Sequence, residues 1–259
     1  IIVIGAGIVG VSTAIWLQRS GFKVTIIDQK GPATGASHGN AGILAASSII
    51  PVPNPSLIKK LPFFLLSKKS PVFFKMSYLP KMFPFLMSYL SKSNLREVNK
   101  YAERMTPLIF DTVCQHGSLA KGTGAEKFIS NQDYCFGYET EQKFINDKRV
   151  WELRKKHGLP FEVVTGNDFS KFDPFYKNLF DVIVKCKNHG KINDPGLYVK
   201  TLCDHFLSKG GELIISTVKD ISSKNSNEVK VKIESDSLVA SKIVVATGAW
   251  SKKILKKFK

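Results

Sequence analysis

An α/β fold is predicted by three features of the chain. It opens with Ile1 to Ile4, a β-branched run leading straight into Gly5-Ala-Gly7-Ile-Val-Gly10. Near the other end, Ile243 to Ala246 is a second run of this kind, closed by Thr247-Gly248. Between them, Asp194 to Val218 reads as a helix followed by a strand. With 259 residues, 43% of them hydrophobic and 23% charged, the chain can bury a substantial core, which excludes a disordered tail, a collagen or a mini-protein.

After the glycines, Val11, Ala14, Ile15 and Leu17 recur at helical spacing and Gly21 is a helix stop; Lys23 to Ile27 then reads as a second strand ending at Asp28. A strand, G-x-G-x-x-G, a helix and a second strand with a terminal acid form the Rossmann-like unit of a dinucleotide site, and each residue has a mechanical task there. Gly5 permits the tight turn, Gly7 lets a pyrophosphate approach the backbone, and Gly10 lets helix and strand pack closely. The helix start at Ile8, Val9 and Gly10 points N–H groups and a positive dipole end at the phosphates. Asp28, eighteen residues beyond Gly10 and followed by Gln29, is placed to accept hydrogen bonds from a ribose diol. Its charge disfavours a 2′-phosphate.

Two further segments favour FAD over NAD. Thr34 to Gly42 is a loop of small residues suited to lie against a flat ring system, and the strand before Thr247 ends in a glycine turn with Trp250. At these residues the sequence resembles the FAD-dependent amine oxidoreductases of the D-amino acid oxidase superfamily, D-amino acid dehydrogenases above all. The resemblance places Ser37, Asn40, Ala41 and Gly42 beside the isoalloxazine. It returns Thr247, Gly248 and Trp250 to the pyrophosphate side, and sets the Val218 backbone against adenine. Some relatives hold flavin covalently through a histidine in the early loop; here Gly39 occupies that register and His38 precedes it, so non-covalent FAD is expected.

The resemblance implies oxidation of a D-amino acid or related amine, with electrons passed to a quinone or another acceptor. A 2-hydroxy acid dehydrogenase and a flavin-binding RNA-modification module are the alternatives. The substrate-binding arginine lies, in the family, in a C-terminal portion that this sequence is expected to lack. No catalytic residue is therefore assigned.

Charge and aromatic patterning describe the middle. The chain carries 38 Lys+Arg against 21 Asp+Glu, a formal charge of +17. From Gln29 to Arg96 there is no acid, and lysines alternate with Phe63, Phe64, Phe73, Phe74, Tyr78, Phe83, Phe85 and Tyr89. That pattern suits residues 57–96 to an anionic membrane surface; the same residues also fit the core and solvated face of a helical insertion. No nucleic-acid-binding motif accompanies the charge. Prolines divide the stretch into short pieces, and no run of residues reads as a membrane span. Further on, Tyr101 to His116 and Asp147 to His157 read as helices, and Phe128 to Phe144 and Phe180 to Lys187 as strand-bearing.

Residues 1–50 and 191–259 are thus expected to form a discontinuous FAD-binding domain, and 51–190 a mixed α+β substrate domain with Tyr138, Glu139 and His189 as polar candidates. Four cysteines without a C-x-x-C pair suggest neither a disulfide framework nor a metal site, and a reducing, cytoplasmic setting, with contact at the inner membrane face, is expected.

Overall fold

The structure is a computed structural model that describes residues 1–51, 75–171, 173–176, 178–225 and 227–258. In chain order the first elements are β1 (Ile2–Ile4), α1 (Ile8–Arg19), β2 (Thr25–Asp28), β3 (Ile43–Leu44), α2 (Leu79–Ser91), α3 (Leu95–Ile109), α4 (Thr112–Ala120) and β4 (Ile129–Tyr138). They are followed by α5 (Glu141–Asn146), α6 (Lys148–Lys156), β5 (Phe161–Thr165), α7 (Gly166–Phe169), β6 (Val182–Ile192) and α8 (Pro195–Ser208). The last are β7 (Glu212–Ile215), β8 (Asp220–Asn225), β9 (Glu228–Lys232), β10 (Ser237–Ala240), β11 (Ile243–Val245) and α9 (Ser251–Ile254). The chain divides into two compact units, the first made of Ile1–Leu44, Cys114–Asn131 and Gly190–Lys259, the second of Ala45–Val113 and Gln132–His189.

The first unit holds a parallel sheet in the order β11-β1-β2-β7. Its strands alternate between two faces. Ile2, Ile4 and Ile27 face a core shared with Ile221, Val231 and Ile233, which come from the antiparallel β10-β9-β8 sheet and its margin. Val3 and Ile26, wholly buried, point the other way, where α1 buries Val11, Ala14 and Ile15 and α8 buries Tyr198, Leu202 and Phe206. Helix α8 starts where Asp194 accepts the Leu197 N–H at 2.9 Å with Pro195 in the first turn. At its other end Gln18 donates to the carbonyls of Phe206 and Lys209, both at 3.1 Å.

The expected 51–190 insertion is interrupted. Arg19, at the end of α1, donates to the carbonyls of Ser118, Leu119 and Lys121, so the segment from Cys114 to Asn131 belongs with the first unit. The helix anticipated over Tyr101 to His116 is accordingly two, α3 and α4, separated at Phe110–Asp111.

In the second unit Trp151 of α6, 2% exposed, packs with Val184 and Cys186 of β6 and with Tyr134, Phe136 and Tyr138 of β4. Its indole donates to the Tyr138 hydroxyl at 2.8 Å. Helix α2 differs: it runs on through Pro84, buries none of its residues, and exposes Phe83, Phe85 and Met87. Pro80 sits in its first turn, where a missing N–H costs nothing, and Pro84 costs one helical hydrogen bond. Residues 57–74 of the anticipated membrane-facing segment, with Phe63, Phe64, Phe73 and Phe74, lie outside the described residues. No helix among the described residues is long and apolar enough to cross a membrane, and no cluster of His, Cys, Asp or Glu among them could hold a metal ion.

Burial ranks substitutions in the second unit. Trp151→Ala is expected to lower unfolding stability by about 3–5 kcal/mol in chemical denaturation, through lost burial and a Tyr138 hydroxyl deprived of its donor. Leu108→Ala, at a side chain 73% exposed, should change it by less than about 0.5 kcal/mol. Equal effects would refute this account of the core.

Candidate functional site

All four parallel strands end on one edge, where the glycine turn follows β1, Asp28 closes β2 and the Thr247 turn follows β11. After β1 comes Gly5, whose φ of 108° lies in the region that favours glycine and whose N–H donates to the Ile27 carbonyl at 2.8 Å. A Cβ on Gly5 would stand 2.5 Å from the Ala246 oxygen and 3.3 Å from the Thr247 nitrogen, so the end of β11 lies directly against the turn. A Cβ on Gly10 would stand 1.8 Å from the Gly5 oxygen. These two glycines are demanded by the fold itself.

Gly7 is different. Its φ is −75°, which any residue adopts, and among the described residues the atom that a Cβ built there would crowd is the Ser37 hydroxyl oxygen, at 3.2 Å. A Cβ there would press only on the Ser37 hydroxyl, a side chain that can give way, so among the described residues packing demands a glycine far less than at Gly5 or Gly10, and a group seated at the start of α1 would need the same space. Helix α1 has no side-chain cap from Gly7 and no acid in its first turn, so its positive end is not neutralised from within. The Ser37 hydroxyl accepts the Ile8 N–H at 2.9 Å, and Val9 in the same turn is 62% exposed.

Asp28 does more than the sequence suggested. Its Oδ2 accepts the Ala6 N–H at 2.9 Å, and its Oδ1 accepts those of Lys30 and Gly31 at 2.8 and 3.0 Å. The carboxylate thus ties the exit of β1 to the loop after β2, with one acceptor position left on Oδ2 of the roughly four a carboxylate offers. Gln29 beside it is exposed. The sequence offered no sign of Ala33, which is buried with a φ of 57° and donates its N–H to the Ala6 oxygen at 3.1 Å. An alanine carries no mark of a left-handed backbone.

The loop of small residues is held by its own side chains and by β6. Asn40 accepts the Gly42 N–H at 2.9 Å and donates to the Ala36 oxygen at 3.1 Å, while Ala41 between them is exposed. Gly42, with φ 66°, accepts the Ile192 N–H, and a Cβ there would stand 2.1 Å from the Ile192 oxygen. Asn40 and Gly42 therefore shape the loop. His38 is exposed, with its Nδ1 2.7 Å from where a Cβ on Gly196 would be. Beyond β7, Val218 is half-buried against the first unit's core. Beyond β11, the Thr247 hydroxyl meets that of Ser251 at 3.1 Å, Gly248 has a φ of 54°, and Trp250 is 61% exposed.

Tyr138, Glu139 and His189 are elsewhere, in the second unit. The Tyr138 hydroxyl receives the Trp151 indole N–H and donates to Asp147 at 3.3 Å; burial, the largest cause, pushes its pKa up to about 12. Glu139 is exposed and pairs with Lys143, whose ammonium holds its carboxyl below the usual range. His189 is buried against Ser47.

Residues 1–259 match the family model described as DAO, FAD dependent oxidoreductase. The chain belongs to this family of FAD-dependent oxidoreductases. It is 33% identical to a D-amino-acid oxidase of Bradyrhizobium diazoefficiens over 255 residues, covering 97% of this chain and 60% of that protein. It is 24% identical to D-amino acid dehydrogenase 1 of Mesorhizobium japonicum, covering 100% of this chain and 63% of the relative. Among solved structures, glycine oxidase from Bacillus cereus shares the fold with a TM-score of 0.66 at 20% identity, covering 99% of this chain and 57% of that one. The chain thus spans about 60% of the length of these relatives. The α/β, Rossmann-like fold expected from the first thirty residues is the fold of this family.

The two classes of glycine are separable by stability alone. Gly10→Ala, which drives a Cβ into the Gly5 carbonyl, is expected to lower unfolding stability by about 3 kcal/mol without any ligand. Gly7→Ala should change it by less than about 1 kcal/mol. If Gly7→Ala proves as damaging as Gly10→Ala, that glycine serves the fold and the space around it is not reserved for a ligand.

Proposed function

We propose that the complete protein oxidises a D-amino acid or a related amine with FAD seated on the carboxyl edge of the β11-β1-β2-β7 sheet. The observation that carries the reading is the start of α1 at Gly7, which has no acid in its first turn and where the Ser37 hydroxyl, a movable side chain, is the group that approaches, in a chain that belongs to an FAD-dependent family. The pyrophosphate would lie at Gly7, Ile8, Val9 and Gly10, where Ser37 trades the Ile8 N–H for a phosphate oxygen. Asp28 would offer its remaining acceptor position to a ribose hydroxyl, beside Gln29. Val218 would border the adenine, Ser37 to Gly42 the isoalloxazine, and Thr247, Gly248 and Trp250 the second side of the pyrophosphate.

Bound there, FAD supplies the hydride acceptor, N5, for the substrate α-hydrogen, leaving an imine that water hydrolyses to a 2-oxo acid. The chain's own contribution is orientation and charge: backbone N–H groups and a helix dipole for the phosphates, a single carboxylate for the ribose, and a loop stiffened by Asn40 and Gly42. Gly39, not His38, stands in the register of the attached histidine of covalent relatives, which supports a non-covalent cofactor.

We further propose that electrons leave to a quinone or similar acceptor at the inner face of the cytoplasmic membrane, reached through α2. That helix exposes Phe83, Phe85 and Met87, with Tyr78 just before it, and residues 75–96 contain Lys75, Lys81, Lys92 and Arg96 but no acid. Aromatic and thioether side chains among cations suit the headgroup layer of an anionic bilayer.

Flavin spectroscopy and vesicle binding test these readings. The complete protein should be yellow and release its flavin into the supernatant on acid precipitation, and D-alanine should bleach it anaerobically. Gly7→Val should remove the colour. Bleaching by 2-hydroxyglutarate but not by D-alanine would overturn the substrate class, and flavin retained on the denatured polypeptide would overturn the non-covalent assignment. On vesicles containing phosphatidylglycerol, changing Phe83, Phe85 and Met87 to Ser should weaken co-sedimentation by about tenfold or more through lost apolar burial. Salt sensitivity alone would follow from the net charge, so unchanged binding by a folded triple variant is the result that excludes insertion of α2.

A further inference from the structure

The second unit contains a buried polar cluster that the cofactor site does not use. Ser47 and His189 are each 3% exposed and Arg154 is 7% exposed. The Ser47 N–H and hydroxyl lie 3.2 and 2.8 Å from His189 Nε2, His189 Nδ1 lies 2.8 Å from the Lys187 carbonyl, and Arg154 Nε donates to the Ser47 carbonyl at 3.1 Å. Every polar group of Ser47 is therefore held by a side chain from β6 or α6. Asn188, with φ 58°, breaks the strand alternation, which is how Cys186 and His189 both come to lie beside Ser47.

The polarity of the cluster is dictated by two groups that cannot change role. A carbonyl oxygen only accepts, so Nδ1 carries a proton toward Lys187; a peptide N–H only donates, so Nε2 is bare toward Ser47. The imidazole is thus the neutral Nδ1–H tautomer. Adding a proton at Nε2 sets two donors against each other: the Ser47 hydroxyl can turn to accept, but its N–H cannot. We propose that Ser47, His189 and Arg154 form an acid-sensitive latch in which neutral His189 holds the chain at Ser47, and protonation of His189 releases it.

The surroundings oppose that protonation. Burial pulls the His189 imidazole below its ordinary range, and the Arg154 guanidinium acts in the same direction; the Lys187 carbonyl and the Asp133 carboxylate of β4 act against them. Arg154 lies over the rings of Trp151 and Phe136, 4.4 and 5.2 Å from their centroids, and makes no ion pair among the described residues; burial lowers its pKa, yet a guanidinium stays protonated, so it is a cation beside the imidazole. Tyr134 of β4 stacks on the imidazole with ring centroids 5.9 Å apart, and burial raises the neighbouring Cys186 thiol, keeping it neutral. The Lys187 ammonium is taken by Asp133 at 2.9 Å.

A histidine whose folded pKa is lowered contributes stability that is complete above the ordinary histidine pKa of about 6.5 and lost as pH falls toward the folded value, by up to about tenfold in the unfolding equilibrium per pH unit. His116 and His205 are also lowered by burial, so the total pH dependence does not isolate the latch. His189→Gln does, because a Gln oxygen still accepts and cannot titrate.

The unaltered chain, labelled with ¹⁵N-histidine, should give the nitrogen shifts of the Nδ1–H tautomer for one histidine at pH 7.5. On acidification, amide exchange over residues 45–48, corrected for its intrinsic pH dependence, should accelerate as that signal titrates. The Gln variant should lose that acceleration. An Nε2–H tautomer at pH 7.5, exchange over 45–48 indifferent to the titration, or a folded Gln variant with the parent's acid response would each overturn the latch. Should the variant not fold, the labelled parent alone decides.

Discussion

The fold of the first unit depends on one close approach. Gly5 lies between the α-carbon of Gly10 and the carbonyl of Ala246, with no room for a side chain at Gly5 or Gly10. This contact lets α1 start immediately behind β1 and brings β11, more than two hundred residues later in the chain, into register beside it, Ile2 opposite Ile243 and Ile4 opposite Val245. The helix start, the acid after β2 and the turn after β11 reach one edge because the strands that carry them are parallel. The candidate site is a by-product of that geometry.

The same contact shows why glycine in a G-x-G-x-x-G run has more than one meaning. Gly5 and Gly10 answer to backbone packing, while Gly7 has an ordinary backbone and is flanked by a side chain, Ser37, that can move. Asp28 likewise serves two purposes. A carboxylate that accepts three backbone N–H groups braces the turn it stands in, and its preorganisation is what would make its remaining position useful to a ligand.

The local part of this was legible in the sequence. Strand, turn, helix, strand and acid all lie within thirty residues, and β-branched runs, helical spacing and glycine stops act at that range. What was not legible depends on partners far apart in the chain. Arg19 meets carbonyls about a hundred residues away, which moves 114–131 out of the anticipated insertion. Ser47 meets Arg154 and His189 at separations of 107 and 142 residues, so His189 read as a pocket candidate when its ring is committed to the backbone of Ser47. Tyr138 is a local case, its hydroxyl being occupied by Trp151 and Asp147, 13 and 9 residues further along the chain. Ala33 carried no signal at all, its left-handed backbone being tied to the Ala6 carbonyl.

The claim on which the functional reading rests is that the carboxyl edge of β11-β1-β2-β7 receives FAD. Hydrogen exchange of the complete protein, followed by mass spectrometry with and without FAD, addresses it directly. Slowed exchange at residues 5–10, 28–31 and 247–250 is expected on addition of FAD, with β8 to β10 unchanged. Protection absent from 5–10, or confined to residues 45–113 and 132–189, would contradict it.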